Sequence, residues 1–574
     1  MPAKSAIELQ VMWNRLLAVV EEQGQTLMRA AFSAMVRECG DISAGIFDLR
    51  GRMLAQAQTG TPGHINSMAN ACPVMIQYFP VESMREGDIY VTNDPWIATG
   101  HLNDLLLVAP VFHLGKLVSL TSCTSHLYDI GGRGMSTDNA DIFEEGIRIP
   151  PMRLVKQGQL NIDLLEIIKA NSRTRIQNEG DIYALMACCD VGASRLAGMM
   201  SEFSIDSIDE LGGYILQTSQ RGVEQAIKAI PNGEYINNAV FDGYDFEINI
   251  NARMRITDSC IEVDFNGSSP SSRYGINSPL NYATAYSVFG IRCIVGPDIP
   301  NNSGSLLPIQ LNVPKGSIIN ANDPAPVSMR HMIGQMLPDV MLGCLHQALP
   351  GKVPAESVAC MWNLPLRSTA TASIEGKTTA FSTDPTHNGG TGARAEKDGL
   401  SATCYPSGVW GSQIESTEAT EPLRYLRREL RPDSGGPGRF RGGHGQILEI
   451  ENREKAPMLM SASFERMVHP ALGREGGESG RLGTISLRSG KALSGKGTQE
   501  IPGDESLIYY MPGGGGYGLP HARDPERVLR DVRDELLSRE AAAIDYAVVI
   551  DENLCIDYST TIAMRDQIDK NLAN

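Results

Sequence analysis

The chain has 574 residues, of which 42% are hydrophobic and 20% are charged, an ordinary composition for a globular protein with a large core. Its formal net charge of −17 argues against binding to nucleic acid or to an anionic membrane surface, because both need clustered Lys and Arg. No stretch reaches the roughly 18 apolar residues of a membrane-spanning helix, and charges interrupt residues 1–22, where a signal peptide needs an apolar core. We therefore expect a cytoplasmic protein.

The cysteines suggest a reducing compartment. There are eleven of them, an odd number, and none shows the CxxC spacing of a thiolate zinc site. Reduced and mostly buried thiols are the favoured interpretation, since free cysteine packs as a small hydrophobic residue. Cys123 lies three residues before His126 and could form a Cys–His pair, but a buried cysteine in a strand is favoured over that alternative.

The first 230 residues alternate between helical and strand patterns. Residues 5–38 carry apolar side chains at helical spacing. Strand patterns follow in four short segments, and the helical pattern returns at residues 161–230. The strand segments are residues 41–54, 88–93, 104–113 and 116–124. We interpret residues 1–230 as an N-terminal α+β domain.

Beyond Pro231 the pattern changes four times. Residues 246–255 and 260–265 alternate like strands, residues 279–296 and 326–349 look helical, and residues 378–415 are too polar for a core element. From Leu423 the chain is strand-like again, and a charged helix follows at residues 524–543. The sequence thus predicts an α+β fold, a large multi-lobed mixed α/β body. Its central α+β domain would span residues 231–420, and a β-rich C-terminal domain ending in a helix would span residues 421–574.

Two histidines stand at the ends of strand-like runs in polar surroundings. They are His101, with Asp104 three positions later, and His126. Two imidazoles with one or two carboxylates form a nitrogen and oxygen ligand set that suits divalent Zn, Mn or Fe. Asp41, at the start of another strand, could be a fourth ligand. An H-x-x-D spacing is frequent by chance, so hydrogen-bonded structural residues remain the alternative.

Glycine-rich segments could in principle bind a phosphate. Residues 513–516 and 442–445 offer backbone N–H groups, but neither is followed by the Lys and Ser/Thr of a phosphate-binding loop. A tight turn or close backbone packing is favoured for both. Residues 387–392, flanked by Asp384 and Arg394, are either a mobile active-site loop or a plain surface loop.

At these residues the sequence resembles the hydantoinase B/5-oxoprolinase family, over nearly its whole length. This is the B-type subunit of ATP-dependent hydantoinases and lactamases, related to the acetone carboxylase alpha subunit. The segments that carry the resemblance are Glu38-Cys39-Gly40-Asp41-Ile42-Ser43, Gly63-His64, Asn93-Asp94-Pro95, Gly100-His101-Leu102-x-Asp104, Glu145-Gly146-Ile147-Arg148-Ile149-Pro150-Pro151, Pro512-Gly513-Gly514-Gly515-Gly516-Tyr517-Gly518 and Asp524-Pro525. Their order and spacing together are specific to the family.

The resemblance implies a divalent metal centre. In the carboxylase relatives the metal is held by a His, an Asp three residues later and a second His, to which His101, Asp104 and His126 correspond. An upstream acidic residue also corresponds, and Asp41 is chosen over Glu38. Three further residues are candidates for the proton-transferring base, namely Asp94, His64 and Asp129.

The resemblance also implies a partner and a reaction. ATP, with Mg, would bind a separate actin-like A-type subunit, and two copies of each subunit would form a heterotetramer. The amide oxygen of a small cyclic substrate, such as a hydantoin, 5-oxoproline or a lactam, would be phosphorylated, and metal-activated water would then open the ring.

Two other functions remain open at this point. One is an ATP-dependent ketone carboxylase subunit that uses bicarbonate, and the other is a scaffold subunit without catalytic residues. The shorter chain favours the amide hydrolases over the carboxylases.

Overall fold

The computed structural model of the protein describes residues 4–58 and 60–573. Its helices are α1 Ala6–Ala30, α2 Ala34–Arg37, α3 Pro62–Tyr78, α4 Ile162–Asn171, α5 Arg175–Glu202, α6 Asp209–Lys228, α7 Leu280–Arg292, α8 Ser303–Leu306, α9 His331–Gly334, α10 Leu337–Ala348, α11 Ala370–Ile374, α12 Ile414–Thr420, α13 Pro525–Arg533, α14 Arg539–Tyr546 and α15 Tyr558–Ala573. Its strands are β1 Ile42–Phe47, β2 Met53–Gln56, β3 Ile89–Thr92, β4 Asp104–His113, β5 Lys116–His126, β6 Met152–Lys156, β7 Gln159–Leu160, β8 Gly233–Phe241, β9 Ile248–Ile256, β10 Ile261–Asp264, β11 Ile309–Asn312, β12 Trp362–Asn363, β13 Leu366–Ser368, β14 Ser382–Thr383, β15 Thr386–His387, β16 Leu423–Leu430, β17 Gln446–Asn452, β18 Met458–Ser463, β19 Thr484–Leu487, β20 Lys496–Ile501 and β21 Ser506–Tyr510. The expected α+β fold is confirmed.

The first seven strands form one antiparallel sheet in the order β2-β1-β5-β4-β3-β6-β7. Helices α1 and α5 cover one face of this sheet, and α3 covers the other. In β4, Leu105 and Leu107 pack on the α5 side, whereas Leu106 and Val108 pack on the α3 side. A strand buried on both faces needs a continuous apolar run, which is what residues 105–109 supply.

The N-terminal helix has a clear start. Ser5 precedes α1, its hydroxyl accepts the backbone N–H of Glu8, and the Glu8 carboxylate accepts the N–H of Ser5. This reciprocal pair satisfies two backbone groups that a helix leaves open at its first turn. The helical pattern expected for residues 5–38 is confirmed as α1 and α2.

The central sheet has the order β11-β10-β9-β8, and α10 packs against β8 and β9. The helix expected over residues 326–349 begins later and divides in two. Residues 326–330 are not helical, α9 ends at Gly334, and α10 begins at Leu337. Pro338 lies in the first turn of α10, where its missing N–H costs nothing, but it could not lie in the middle of a continuous helix.

Two four-stranded sheets enclose the C-terminal core, in the orders β14-β13-β18-β20 and β16-β17-β21-β19. Trp362 stacks on Phe464 inside this core, with ring centroids 4.4 Å apart. The expected boundary near residue 230 falls between α6 and β8. The first of these sheets, however, joins residues 366–383 to residues 458–501, so hydrogen bonds cross the boundary expected near residue 420. The division into three domains stays a prediction.

Glycine-rich segments cross one another closely in this half of the chain. A Cβ on Gly390 would lie 1.8 Å from the carbonyl oxygen of Gly443, and one on Gly442 would lie 1.9 Å from that of Gly514. The N–H of Gly443 donates to Thr391 and that of Gly514 donates to Gly443, over 2.9 and 3.0 Å. The close backbone packing expected for residues 442–445 and 513–516 is therefore confirmed, because only a residue without Cβ fits there.

Two sequence interpretations were wrong for residues 378–415. Asp384, His387 and Asn388 are buried, so this segment contributes to the interior and its 387–392 part is not a surface loop. His387 Nδ1 lies 2.9 Å from the Tyr509 hydroxyl, and such hydrogen bonds make a polar segment compatible with burial.

Among the described residues, no helix combines the length and the apolar character needed to span a bilayer.

Candidate metal centre

Three strand ends meet at one end of the N-terminal sheet. Asp104 is the first residue of β4 and pairs directly with His126, the last residue of β5. Asp41 immediately precedes β1, and its carbonyl accepts the N–H of His126 over 3.3 Å. His101 lies in the loop that leads into β4. The sheet therefore brings the four predicted ligands close together in the fold, but only His101, Asp104 and His126 offer donor atoms in one group, and the Asp41 carboxylate is not among them.

Asp104 is the centre of this group. Its Oδ1 lies 2.8 Å from Nε2 of His101 and 3.1 Å from Nδ1 of His126, and its Oδ2 lies 2.9 Å from Nε2 of His64. Arg330 Nη2 approaches the same Oδ2 to 2.6 Å. Burial by itself would raise the pKa of Asp104, but the adjacent imidazoles and the guanidinium of Arg330 hold it well below its usual range. Asp104 is therefore an ionised carboxylate inside the protein.

The hydrogen bond of His101 decides which of its nitrogens carries the proton. Nδ1 lies 3.1 Å from the carbonyl oxygen of Ser328, which can only accept, so Nδ1 is the donor. Burial and the charge of Arg330 lower the pKa of His101 to about 4, so the ring is neutral and Nε2 bears a lone pair. That lone pair is 2.8 Å from a carboxylate oxygen of Asp104 and has no hydrogen-bond donor among the described residues. A cation bound by both atoms would relieve this repulsion.

His126 offers a second imidazole with a free nitrogen. Its Nδ1 lies 3.1 Å from Asp104, and its Nε2 has no hydrogen-bond partner in the described part of the chain. Burial would lower the pKa of His126, but the hydrogen bond and charge of Asp104 raise it, helped by Asp41 and Asp384.

One donor atom from each of His101, Asp104 and His126 lies within 4.8 Å of the others, and all three residues are buried. Two imidazoles and a carboxylate are a common ligand set of catalytic metal sites that leave a position open. The buried, unpartnered imidazole nitrogens and the ionised carboxylate therefore fit a divalent cation.

His64 and Asp41 lie next to this group. His64 is in the first turn of α3, where its Nδ1 lies 3.5 Å from Oδ1 of Asp41. That Nδ1 has no hydrogen-bond partner among the described residues, and the Thr61 hydroxyl donates to Asp41 over 3.0 Å. His64 thus bridges the two carboxylates of Asp41 and Asp104, which the sequence did not predict for it.

The other two candidate bases are engaged elsewhere. Oδ2 of Asp94 accepts from Nη2 of Arg148 over 2.7 Å, and its Oδ1 accepts the N–H of Trp96. Asp129 Oδ1 lies 2.6 Å from Nη1 of Arg173. Neither carboxylate hydrogen-bonds to the histidines of the group.

Three buried residues near the group were missed. They are Arg330 and His331, before and within α9, and Asp384, between β14 and β15. Burial, together with Arg330, His101 and His126, lowers the pKa of His331 well below its usual range. Burial raises the pKa of Asp384 to about 6. The available signal for the first two was the pair Arg330-His331 between apolar residues. It was interpreted as part of the helix expected over residues 326–349.

The sequence matches the hydantoinase B/oxoprolinase family over residues 5–520. The beta subunit of caprolactamase from Pseudomonas jessenii is 31% identical over 593 residues, which cover 97% of this chain and 98% of that protein. 5-Oxoprolinase 1 from Arabidopsis thaliana is 27% identical over 545 residues, which cover 89% of this chain and 42% of that longer protein.

Solved structures share the fold. A chain of the crystal structure of the ATP-dependent caprolactamase from Pseudomonas jessenii superposes with a TM-score of 0.86 at 28% identity, covering 98% of this chain and all of that one. A chain of nucleotide-free acetone carboxylase superposes with a TM-score of 0.84 at 21% identity, covering 99% of this chain and 84% of that one, and this likeness concerns the fold. With the match over residues 5–520, these findings establish that the chain belongs to the hydantoinase B/oxoprolinase family.

Proposed function

We propose that this chain is the metal-holding subunit of an ATP-dependent hydrolase that opens a small cyclic amide, such as a hydantoin, 5-oxoproline or a lactam. Relatives in sequence carry the names caprolactamase and 5-oxoprolinase, which are enzymes of this reaction class, and a caprolactamase chain also shares the fold. The observation that carries the proposal is the buried group of His101, Asp104 and His126, in which Nε2 of each imidazole lacks a hydrogen-bond partner among the described residues.

His101, Asp104 and His126 would hold a divalent Zn, Mn or Fe ion, with Asp41 as a further ligand. Such a metal, when bound, lowers the pKa of a coordinated water and polarises a carbonyl oxygen. Ser328 fixes the His101 proton on Nδ1, and this keeps Nε2 available as a ligand. Arg330 and His64 hold the second oxygen of Asp104, so the carboxylate keeps one orientation.

Of the three candidate bases, His64 is the best placed. If its Nε2 holds a proton toward Asp104, its Nδ1 is free to accept one from a water in the site. Asp41 Oδ1, 3.5 Å from that Nδ1, would stabilise the imidazolium that forms. Asp94 and Asp129 instead form ion pairs with Arg148 and Arg173.

The reaction needs ATP because amide resonance resists direct attack by water. Phosphorylation of the amide oxygen would give an imidate phosphate with an electrophilic carbon. Attack of water on that carbon and protonation of the ring nitrogen break the C–N bond and leave an acyl phosphate. A second water then hydrolyses the acyl phosphate to the open-chain acid and inorganic phosphate.

ATP would bind to a partner. The sequence contains no G-x-x-x-x-G-K-[ST] motif. The caprolactamase relative is itself named as a subunit. We expect an actin-like A-type subunit that carries ATP and Mg, two copies of each subunit, and a cytoplasmic complex.

A ketone carboxylase subunit is the second candidate, and the fold it shares with acetone carboxylase favours it. The two functions differ in their need for bicarbonate. A scaffold without catalysis would have no reason to keep two unpartnered imidazole nitrogens beside a buried carboxylate.

The test is to purify the chain with its A-type partner and to supply hydantoin, 5-oxoproline and caprolactam with ATP in bicarbonate-free buffer. ATP consumption that depends on one cyclic amide, with the ring-opened acid found by mass spectrometry, is the expected result. A His101→Ala complex, shown to assemble, is the matched control and should be inactive. ATP turnover that requires a ketone and bicarbonate would replace the proposal by the carboxylase function.

A further inference from the structure

A small cleft with three arginines opens beside the candidate metal centre. Its volume is about 40 Å³, room for roughly three water molecules. Arg133, Arg173 and Arg367 line it together with Asp129 and Asp384. These arginines come from three separate segments, namely the loop after β5, the loop between α4 and α5, and strand β13. Only the folded chain brings them together.

Arg367 is the arginine without a partner. Its guanidinium makes no hydrogen bond or ion pair with any residue in the described ranges, although the side chain is half-buried. The neighbouring Leu366 points into the C-terminal core, so the alternation of a strand directs Arg367 to the opposite side. Burial and the charge of Arg173 lower the pKa of Arg367, the charge of Asp129 raises it, and the charge of Arg133 lowers it again. Three guanidinium groups that line one small cleft repel one another, and an anion bound among them would reduce this repulsion.

The two carboxylates in the cleft compensate the three guanidinium charges only in part. The carboxylate of Asp129 forms an ion pair with Arg173 and accepts a hydrogen bond from the backbone N–H of Gly131. Asp384 Oδ2 accepts from Asn363 over 2.8 Å and makes no ion pair with an arginine. Nε of Arg133 lies 3.6 Å from Oε2 of Glu144. Both side chains are partly exposed to solvent, so the attraction between them is weak. Three arginines against two aspartates leave the lining of the cleft with one positive charge in excess.

Two features connect the cleft with the candidate metal centre. Tyr128 and Asp129, which line it, lie two and three residues after His126 in the chain. Asp384 lines it as well, and its charge acts on the ring of His126. None of His101, Asp104 and His126 lines the cleft itself, so its connection with the histidines runs through Asp384.

We propose that Arg133, Arg173 and Arg367 bind the phosphoryl group of the activated substrate while its carbon reacts at the neighbouring metal centre. This inference rests on the proposed function, since both the imidate phosphate and the acyl phosphate carry such a group. Guanidinium groups match phosphoryl oxygens through paired N–H donors. The cleft is of the size of one phosphoryl group, and the amide carbon attached to it would extend toward His126.

The first test measures anion binding by the full-length chain alone, by calorimetry after chelation, so that no metal can bind the anion. Inorganic phosphate and acetyl phosphate are the probes. Arg367→Gln should weaken the binding of both roughly 10–100-fold, because it removes charge-assisted hydrogen bonds. Arg427→Gln, which removes an exposed arginine of β16 paired with Glu429, is the matched control and should change nothing.

Folding of the variants is checked by thermal melting. Arg133→Gln, in a loop, provides a second variant and should also weaken both anions. Phosphate binding that is equal in the wild type and in Arg367→Gln would overturn the proposal. So would ADP that binds the cleft more tightly than acetyl phosphate, since the site would then belong to a nucleotide.

The second test uses the complex with the partner subunit. If Arg367 retains the phosphorylated amide, Arg367→Gln should release it to water, and more ATP should be consumed per ring opened than in the wild type. An unchanged ratio with unchanged kcat/KM would overturn the proposal. If the wild-type complex opens no cyclic amide, the proposed function fails, whereas the anion titration still decides whether the cleft binds a phosphoryl group.

Discussion

Arg330 and Asp104 form an ion pair 2.6 Å long inside the protein, although 226 positions separate them in the chain. Arg330 also donates from Nε to the carbonyl of Thr99 over 2.6 Å, and its guanidinium lies 4.1 Å from the ring centroid of Tyr282. The pair therefore holds the segment before α9 against the start of β4 in the N-terminal sheet. It also fixes the orientation of the Asp104 carboxylate.

Replacement of Arg330 by Met should destabilise the protein strongly. The change leaves the buried Asp104 charge without its nearest cation, and removal of one partner of a buried ion pair costs about 3–5 kcal/mol. The free energy of unfolding, measured by urea denaturation, reports this loss. Arg427→Met removes a half-exposed arginine paired with Glu429 and should stay within about 0.5 kcal/mol of the wild type. Equal losses in both variants would contradict the role of Arg330.

The metal content should depend on His101 and His126. The His101→Ala and His126→Ala variants should lose most of the roughly one ion per chain expected for a site of this kind. Elemental analysis of the purified chain measures this. His469→Ala is the control, since His469 pairs with Glu247 in an exposed position far from the group in sequence. Retention of metal by both site variants would refute the predicted centre.

His64→Gln should separate proton transfer from metal binding. The glutamine amide can still donate to Asp104, but it cannot accept a proton at neutral pH. We expect kcat of the complex to fall by roughly 10²–10⁴-fold, the usual contribution of a general base, with the metal content retained. Asp94→Asn should lower kcat much less, because Asp94 is paired with Arg148. The reverse order would make Asp94 the base.

The stability of the protein should depend on pH through Glu145. Burial raises the pKa of its carboxyl to about 8, although the N–H groups of Ser328 and Val327 donate to it. The folded state therefore holds one proton more than the unfolded state between about pH 4.3 and pH 8. This contribution to stability is complete below that window and is lost as the pH rises through it.

Glu145→Gln removes this titration. Its free energy of unfolding should increase relative to that of the wild type as the pH rises from 5.5 to 8.5, because only the wild type loses stability over this range. Urea denaturation at four pH values in this range makes the comparison. A difference between variant and wild type that is constant with pH would exclude a titrating Glu145.

Glycine should be required at the crossing of Gly390 and Gly443. Gly390→Ala places a Cβ 1.8 Å from a backbone carbonyl oxygen, which no side-chain rotation relieves. The loss should exceed the about 1–3 kcal/mol of an ordinary overpacked core. Gly198→Ala, in the exposed interior of α5 with nothing near its Cβ, should instead stabilise the protein by about 0.5–1 kcal/mol. Thermal melting of both variants checks the contrast.

Local patterns along the chain were sufficient to predict one half of the candidate site. Apolar runs at residues 104–113 and 116–124 predicted β4 and β5, and the short turn at Leu114 and Gly115 sets their register. Asp104 consequently lies opposite His126, and His101 is only three residues away. The run of glycines at residues 513–516 likewise predicted close backbone packing, because the lack of a Cβ is a local property.

The tertiary structure alone decided the rest. Arg330 reaches Asp104, and Arg367 joins Arg173, across about 200 positions or more of chain. Periodicity reports only which face of an element is apolar, so it cannot reveal which distant side chains share the interior. For the same reason residues 384–388 looked too polar for the core. Their polar groups are buried because Asn363 and Tyr509, from other segments, provide the hydrogen bonds that burial requires.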